Sequence, residues 1–332
     1  MMHGCLFVEK RFKKNQIFSQ ESNIVEQHRL SRYIYLKKLF CEQGIDLNTQ
    51  DLTKETDSDF SIYIDYSRPR SKKNYLIVNE PPTILSSNHA KKKIDQFDKV
   101  FTWNDDLVNN KNIIKYNNLN YDFNNINYIK NNAKGGYLFV ISNKKSNFNK
   151  ENYSKRFDII NFFENQKYDF DLYGTGWSNK TYSNVIINKL FNNRFLKFEN
   201  TPPLNYKGES KNKIELGSNY LFQFAVENTK NINGYISEKI FDCFFAGSIP
   251  IYSGTLNIER YIPNELFINI ENFNSMGDLI NYTENLKNKE IRNYREAFTD
   301  FLSSEAKKYF DFKYNTKKLF EHIITDLKVK RK

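Results

Sequence analysis

The chain has little that would staple or anchor it. Among 332 residues there are three cysteines, Cys5, Cys41 and Cys243. They are widely spaced, odd in number and show neither CxxC nor Cys/His spacing of the zinc type, which excludes a disulfide framework and a zinc module. A chain of this length buries enough apolar surface for two ordinary domains without such staples. The cysteines read as reduced thiols, with Cys243 a small core residue inside an apolar run. Four histidines, His3, His28, His89 and His322, show no ligand spacing. No stretch approaches the roughly 18 apolar residues of a spanning helix. Near the start, Glu9, Lys10, Arg11, Lys13 and Lys14 crowd a short apolar patch at Leu6, Phe7 and Val8, unlike a signal peptide. No repeat of fixed period occurs, which removes solenoids and propellers. The expectation is a cytoplasmic protein, peripheral at the inner face of the plasma membrane if it meets a membrane at all.

What is abundant is positive charge. The net charge is +11, which favours nucleotides, anionic lipid headgroups or nucleic acid without choosing among them. A lysine-rich solvated surface explains the same number. The lysines are scattered, and the aromatics are not interleaved with a basic groove motif, so nucleic acid is not expected as a partner. Towards the end, Thr316–Val329 sets Leu319, Phe320, Ile323, Ile324 and Leu327 on one helical face, followed by Lys328, Lys330, Arg331 and Lys332. Cations suit a helix C-terminus, and the apolar face suits packing. A weak contact with an anionic membrane surface is a further expectation for this end.

Strand and helix patterns alternate. Cys5–Val8 reads as a strand and Ser22–Glu42 as a helix stopped by Gly44; Phe60–Tyr66, Tyr75–Val78 and Lys99–Trp103 read as strands, with a helix over Asn88–Phe97. An asparagine- and tyrosine-rich stretch from Asn109 to Asn132, still carrying Ile113, Ile114, Leu119, Ile126 and Ile129, suits a domain connection before Gly135-Gly136. A second block follows: strand Tyr137–Ser142, helix Lys150–Asn165, strand Phe170–Tyr173, strand Tyr220–Val226, helix Ser237–Ala246 and strand Ile249–Tyr252. β/α alternation argues for an α/β fold with two mostly parallel sheets. The expected units are residues 1–133, 134–305 and a closing helical segment 306–332 that packs back on the first.

One stretch carries chemistry: Phe224-Ala225-Val226-Glu227-Asn228-Thr229, then Gly234-Tyr235-Ile236-Ser237-Glu238-Lys239, then Ala246-Gly247-Ser248-Ile249-Pro250-Ile251-Tyr252-Ser253-Gly254. A buried strand delivers Glu227 and Asn228 at its carboxyl end, where open α/β sheets bind ligands. The next helix starts near Ser237, so Glu238 and Lys239 fall in its first turn, where free N–H groups and the dipole favour an anion. The pattern fits a phosphate and ribose cradle: Lys239 for diphosphate charge, Glu238 for ribose hydroxyls, Gly254 for close approach. Ordinary surface charges in a first turn would look the same.

The ordered elements F-x-x-E-N-[ST], [VI]-[ST]-E-K and A-G-x-[VI]-P-[VI]-x-x-G, from Phe224 to Gly254, resemble the donor-binding signature of the α1,3/4-fucosyltransferases, which use GDP-fucose. The resemblance continues thinly upstream. Leu138–Ser142 with Asn143, then Tyr153-Ser154-Lys155-Arg156, looks like the family's strand, S-N segment and arginine-bearing helix; Asp171-Leu172-Tyr173-Gly174-Thr175-Gly176 looks like its next strand and turn. Tyr75-Leu76-Ile77-Val78-Asn79-Glu80-Pro81-Pro82 looks like the strand followed by a glutamate proposed as base. Ser253 departs from the family, many of whose members have tryptophan there.

The resemblance implies the glycosyltransferase B architecture, two facing Rossmann-like domains. It implies an inverting transfer of L-fucose from GDP-β-L-fucose to a hydroxyl of an oligosaccharide or polysaccharide acceptor, in an α1,3-type linkage. Glu80 is the implied base, and Arg156, Glu238, Lys239, Asn143, Glu227, Asn228, Tyr235 and Gly254 the implied donor-binding residues. The alternatives are another nucleotide sugar on the same fold, or a non-catalytic basic protein that binds nucleotides or nucleic acid. Two DxD triplets, Asp57-Ser58-Asp59 and Asp169-Phe170-Asp171, fall at the starts of strands, the wrong end for a ligand, so no metal site and no required cofactor are expected.

Overall fold

The computed structural model describes residues 2–19, 24–123, 128–129, 133, 135–177 and 203–328. Two parallel sheets organise it. In the first, β1 (Met2–Phe7), β2 (Ile45–Thr49), β3 (Phe60–Ile64), β4 (Asn74–Ile77), β5 (Lys99–Thr102) and β6 (Ile113–Lys115) lie in the order β2-β1-β3-β4-β5-β6. In the second, β7 (Tyr137–Val140), β8 (Phe170–Tyr173), β9 (Phe222–Val226), β10 (Ile249–Ser253) and β11 (Ile268–Asn269) lie in the order β11-β10-β9-β7-β8. Every pairing between these strands is parallel. The central strands β4, β9 and β10 are buried at every position, which is why they read as continuous apolar runs instead of alternating ones.

Helix α1 (Ile24–Glu42) covers the first sheet, and a four-residue turn, α2 (Lys91–Ile94), precedes β5. The second sheet carries α3 (Tyr153–Gln166), α4 (Lys213–Gly217), α5 (Glu238–Phe245), α6 (Met276–Glu284) and α7 (Asn288–Ser303). The last helix, α8 (Phe312–Asp326), places Leu319, Ile323 and Ile324 in one core with Leu30, Leu36 and Phe40 of α1. The chain therefore returns to the first domain after completing the second. The start of the predicted Ser22–Glu42 helix, Ile126, and the basic tail Lys330, Arg331 and Lys332 lie outside the described residues. Among the described residues no helix is long and apolar enough to cross a membrane.

The structure differs from the sequence reading at several places. A continuous helix over Asn88–Phe97 does not form: a 3-10 turn at Ser86–His89 and the short α2 stand there. The Asn88 side chain is taken by tertiary bonds, accepting from Tyr66 N (2.7 Å) and donating to Asp65 Oδ1 (2.5 Å), and this competes with helical geometry. Strands β2, β6 and β11 and helices α4, α6 and α7 were not anticipated; β2 alternates buried Ile45, Leu47 and Thr49 with half-buried Asp46 and Asn48 at the sheet edge. The anchor Ile129 is 37% exposed, so it does not hold the connection as Ile113, Ile114 and Leu119 do.

The carboxyl ends of the two sheets meet. Thr83, past β4, lies 2.8 Å from Thr229, past β9. Trp103, past β5, packs against Tyr235 with centroids 4.7 Å apart and the rings tilted by 51°. Asp105 is the polar centre of the seam: it accepts from Lys115 Nζ (2.6 Å), Asn257 Nδ2 (2.7 Å) and the Tyr261 hydroxyl (2.6 Å). Burial opposes its charge, but these bonds outweigh it and hold the Asp105 carboxyl below its ordinary pKa. Gly234 (φ +81°) threads this seam, where a Cβ would run into the Trp103 carbonyl and the Lys115 ammonium.

Candidate active site

The site is built on the amino end of α5. Ser237 is its N-cap, accepting from Lys239 N, which satisfies one of the free donors of the first turn. Behind it sits Glu227, completely buried, at the end of β9. Its carboxylate accepts from Ser237 N (2.7 Å), from Ser237 Oγ (2.6 Å) and from Lys239 Nζ (3.2 Å). Burial works against the Lys239 ammonium, yet the carboxylates of Glu227 and Glu238 more than compensate, and its pKa stands above the ordinary lysine value. Lys239 is thus held charged at the helix end.

Glu227 corrects the sequence reading. Predicted as a donor contact, it has no exposed surface and its oxygens are occupied by Ser237 and Lys239; it braces the cation from beneath. Gly254 is likewise read differently by the structure. A Cβ there would strike the Tyr252 hydroxyl and come within 2.7 Å of Glu227 Cγ, so the absent side chain makes room for the brace.

Arg156, on α3, is 3% exposed. Its Nη2 donates to Val226 O (2.7 Å) and Asn228 Oδ1 (2.8 Å), its guanidinium lies 4.9 Å from the Tyr153 ring centroid, and its Nε is buried without a partner. Burial lowers its pKa from the ordinary arginine value, while Tyr153 and Glu227 oppose it. Arg156 therefore locks Asn228 and the end of β9 beside Lys239. Asn143, past β7, donates to Gly176 O (2.9 Å), tying the β7 and β8 loops together at the rim. Tyr235 is 6% exposed, wedged between Trp103 and the α5 entrance.

Glu80 comes from the other domain. Burial first, and then the charge of Asp65, raise its pKa above the usual carboxylate value, while Lys144 opposes them and Glu238 and Glu9 add to them. The Thr83–Thr229 contact sets the loop that follows Glu80 against the end of β9, on the side of the α5 turn. The Glu80 backbone is fixed on both sides: N donates to Asp65 Oδ1 (3.0 Å), and O accepts from Asn88 Nδ2 (3.2 Å) and lies 3.1 Å from His89 Nε2. Asp65 was missed by sequence reasoning. No local motif marks it, because the residues it bonds are 14, 15 and 23 positions away.

The two DxD triplets lie away from this cleft. Asp59 Oδ2 accepts from His3 N (2.9 Å) at the start of β1, and Asp171 pairs with Lys207 and with the Tyr220 hydroxyl on the outer strand. Among the described residues no group of three or more His, Cys, Asp or Glu is placed to hold a metal ion.

Residues 137–320 match the family model described as glycosyltransferase family 10 (fucosyltransferase) C-terminal region. The chain belongs to glycosyltransferase family 10. Among family relatives, the alpha-(1,3)-fucosyltransferase FucT of Helicobacter pylori is 31% identical over 123 residues, covering 35% of this chain and 24% of that protein. The 4-galactosyl-N-acetylglucosaminide 3-alpha-L-fucosyltransferase 9 of Mus musculus is 38% identical over 96 residues, covering 27% of this chain and 26% of that protein. The matched part thus spans about a quarter of these curated relatives. A crystal structure of an alpha1,3-fucosyltransferase with GDP-fucose superposes with a TM-score of 0.58 at 18% identity, covering 100% of this chain and 91% of that one. A phage T4 glucosyltransferase with UDP-glucose superposes with a TM-score of 0.53 at 13% identity, covering 97% and 100%. The family 10 chain has the glycosyltransferase B fold that these structures share.

Proposed function

We propose that this family 10 protein transfers L-fucose from GDP-β-L-fucose to a hydroxyl of an oligosaccharide or polysaccharide acceptor, with inversion to an α1,3-type linkage. The observation that carries the reading is the contact of Thr83, three residues past Glu80, with Thr229, two past Glu227, which sets the Glu80 loop against the strand end that braces the Glu238–Lys239 turn. A nucleotide sugar fits between them with its diphosphate at the amino end of α5. Lys239 supplies charge there, and Arg156 holds the adjoining Asn228 loop. Glu238 stands at the same turn for the ribose hydroxyls, and Asn143 and Tyr235 border the donor from the rim and from the seam.

In the reaction the acceptor oxygen attacks the anomeric carbon as the bond from that carbon to the β-phosphate oxygen breaks. The acceptor proton passes to the Glu80 carboxylate, and GDP leaves with the bonding electrons. Fixed positive groups at the departing diphosphate act where charge develops, the point at which preorganised electrostatics contributes most. A positioned base adds about 10²- to 10⁴-fold.

E80Q tests the assignment. GDP should still raise the melting temperature of E80Q as it does that of the parent, while GDP-fucose turnover falls by about 10²-fold or more; parental turnover in E80Q would sink the role of Glu80. A second reading, a different nucleotide sugar, is favoured by the structural likeness to a glucosyltransferase solved with UDP-glucose. Thermal stabilisation by GDP compared with UDP separates the two.

A further inference from the structure

Asp65 follows β3 in a left-handed conformation, φ +62°. Aspartate tolerates that region better than most side chains, but glycine or asparagine would do so without burying a charge. Its Oδ1 accepts from Asn79 N (2.8 Å), Glu80 N (3.0 Å) and Asn88 Nδ2 (2.5 Å). Its own N–H donates to Ile77 O (2.8 Å), which anchors it to the strand that precedes Glu80. The loop continues into Pro81 and Pro82, both buried, so Glu80 has its N–H, its carbonyl and its following residue all held. Trp103 Nε1 adds a bond to Asn79 O (3.1 Å).

A neutral oxygen could accept from those three donors, though more weakly than a carboxylate, and Asp65, half-buried, carries its charge 3.0 Å from the Glu80 N. Its negative charge therefore reaches Glu80 as well as bonding the loop. The charged neighbours of Glu80 are Asp65 after β3, Glu9 after β1, Lys144 after β7 and Glu238 on α5. The Tyr153 and Tyr235 hydroxyls also feel its charge, and His89, whose pKa burial lowers, meets only its carbonyl. After burial itself, Asp65 is the strongest influence that raises the proton affinity of Glu80.

We propose that Asp65 is a positioning residue for Glu80: it clamps the Asn79–Glu80 backbone at the cleft and sets its negative charge at the Glu80 N–H, 3.0 Å away, where it acts on the side chain of the same residue. This rests on the reading of Glu80 as the base.

The test uses the full chain with GDP-fucose and a 4-galactosyl-N-acetylglucosaminide as acceptor probe, comparing D65A, D65N and E80Q. D65A, which frees the loop, should lower kcat by about tenfold or more while GDP still raises its melting temperature as in the parent. D65N keeps an oxygen acceptor and tolerates the left-handed backbone; it should retain most turnover but move the acidic limb of the kcat/KM profile to lower pH. A purely structural clamp would leave that limb in place, and this result in D65N overturns the proposal. Should D65A fail to fold, D65N alone decides through the same limb. Parental turnover in D65A with E80Q inactive overturns the role of Asp65 and spares Glu80, whereas parental turnover in E80Q overturns both.

Discussion

Lys239 Nζ lies 3.2 Å from Glu227 Oε2, and the carboxylate that holds it has no exposed surface. The cation at the helix end is therefore set by a group that no ligand can reach. Removing one partner of such a pair leaves the other charge buried and unmatched. E227A should cost about 3–5 kcal/mol of stability, and E227Q, which keeps an acceptor for Ser237, about 1–3 kcal/mol. Urea unfolding measures both; an unchanged midpoint in E227A would mean that Lys239 finds another partner.

Asp242, one turn along α5, accepts from the Tyr121 hydroxyl (2.8 Å). Burial is the main cause that raises its pKa to about 6, with Lys213 opposing. A folded-state pKa above the unfolded one gives stability that is complete below about pH 4 and is lost as pH climbs through about 6. The loss is at most about 3 kcal/mol, at about 1.4 kcal/mol for each pH unit that separates the folded and unfolded titrations. D242N should match the parent near pH 3.5 and exceed it at pH 7.5 in urea midpoint. Parallel pH curves for the two proteins would refute the raised pKa.

Gly234 has no room for a side chain at the seam. G234A combines a left-handed alanine, about 1–2 kcal/mol, with an overlap against the Trp103 carbonyl. Expected are a loss of about 2 kcal/mol or more in unfolding free energy and a fall in turnover, since Tyr235 and Trp103 are displaced together. Parental values of both by denaturation and by GDP-fucose consumption would show that the seam yields freely.

The Lys115–Asp105 pair, 2.6 Å apart, lies on the first-domain side of the same junction. D105A and K115M should each destabilise by about 3–5 kcal/mol, whereas D105L/K115M should recover part of the loss, because breaking a buried pair costs more than replacing it. The recovery will be incomplete: Tyr261 and Asn257 also donate to Asp105. Additive losses in the double variant would show that the two charges do not interact.

Much of the architecture was legible from local pattern. The strand Phe170–Tyr173 stands at its predicted bounds, and α5 begins directly after Ser237, because an N-cap serine before an apolar helix face is a short-range signal. The helix over Asn88–Phe97 was misread because Asn88 is spent on Asp65 and Tyr66, and nothing within a few residues of Asn88 announces either partner.

The site divides in the same way. The chain by itself determined residue chemistry and order: a glutamate before two prolines, a Ser-Glu-Lys helix start, an arginine one turn into a helix, and a strand preceding each of them. Tertiary packing alone decided exposure. It put Glu227 under Lys239 rather than in the cleft, made Gly254 a packing gap, drew Arg156 onto Asn228, and brought Asp65 to Glu80. Local sequence governs hydrogen bonds and periodicity within a few residues, while burial and charge pairing depend on which surfaces meet after the chain has crossed between its two sheets.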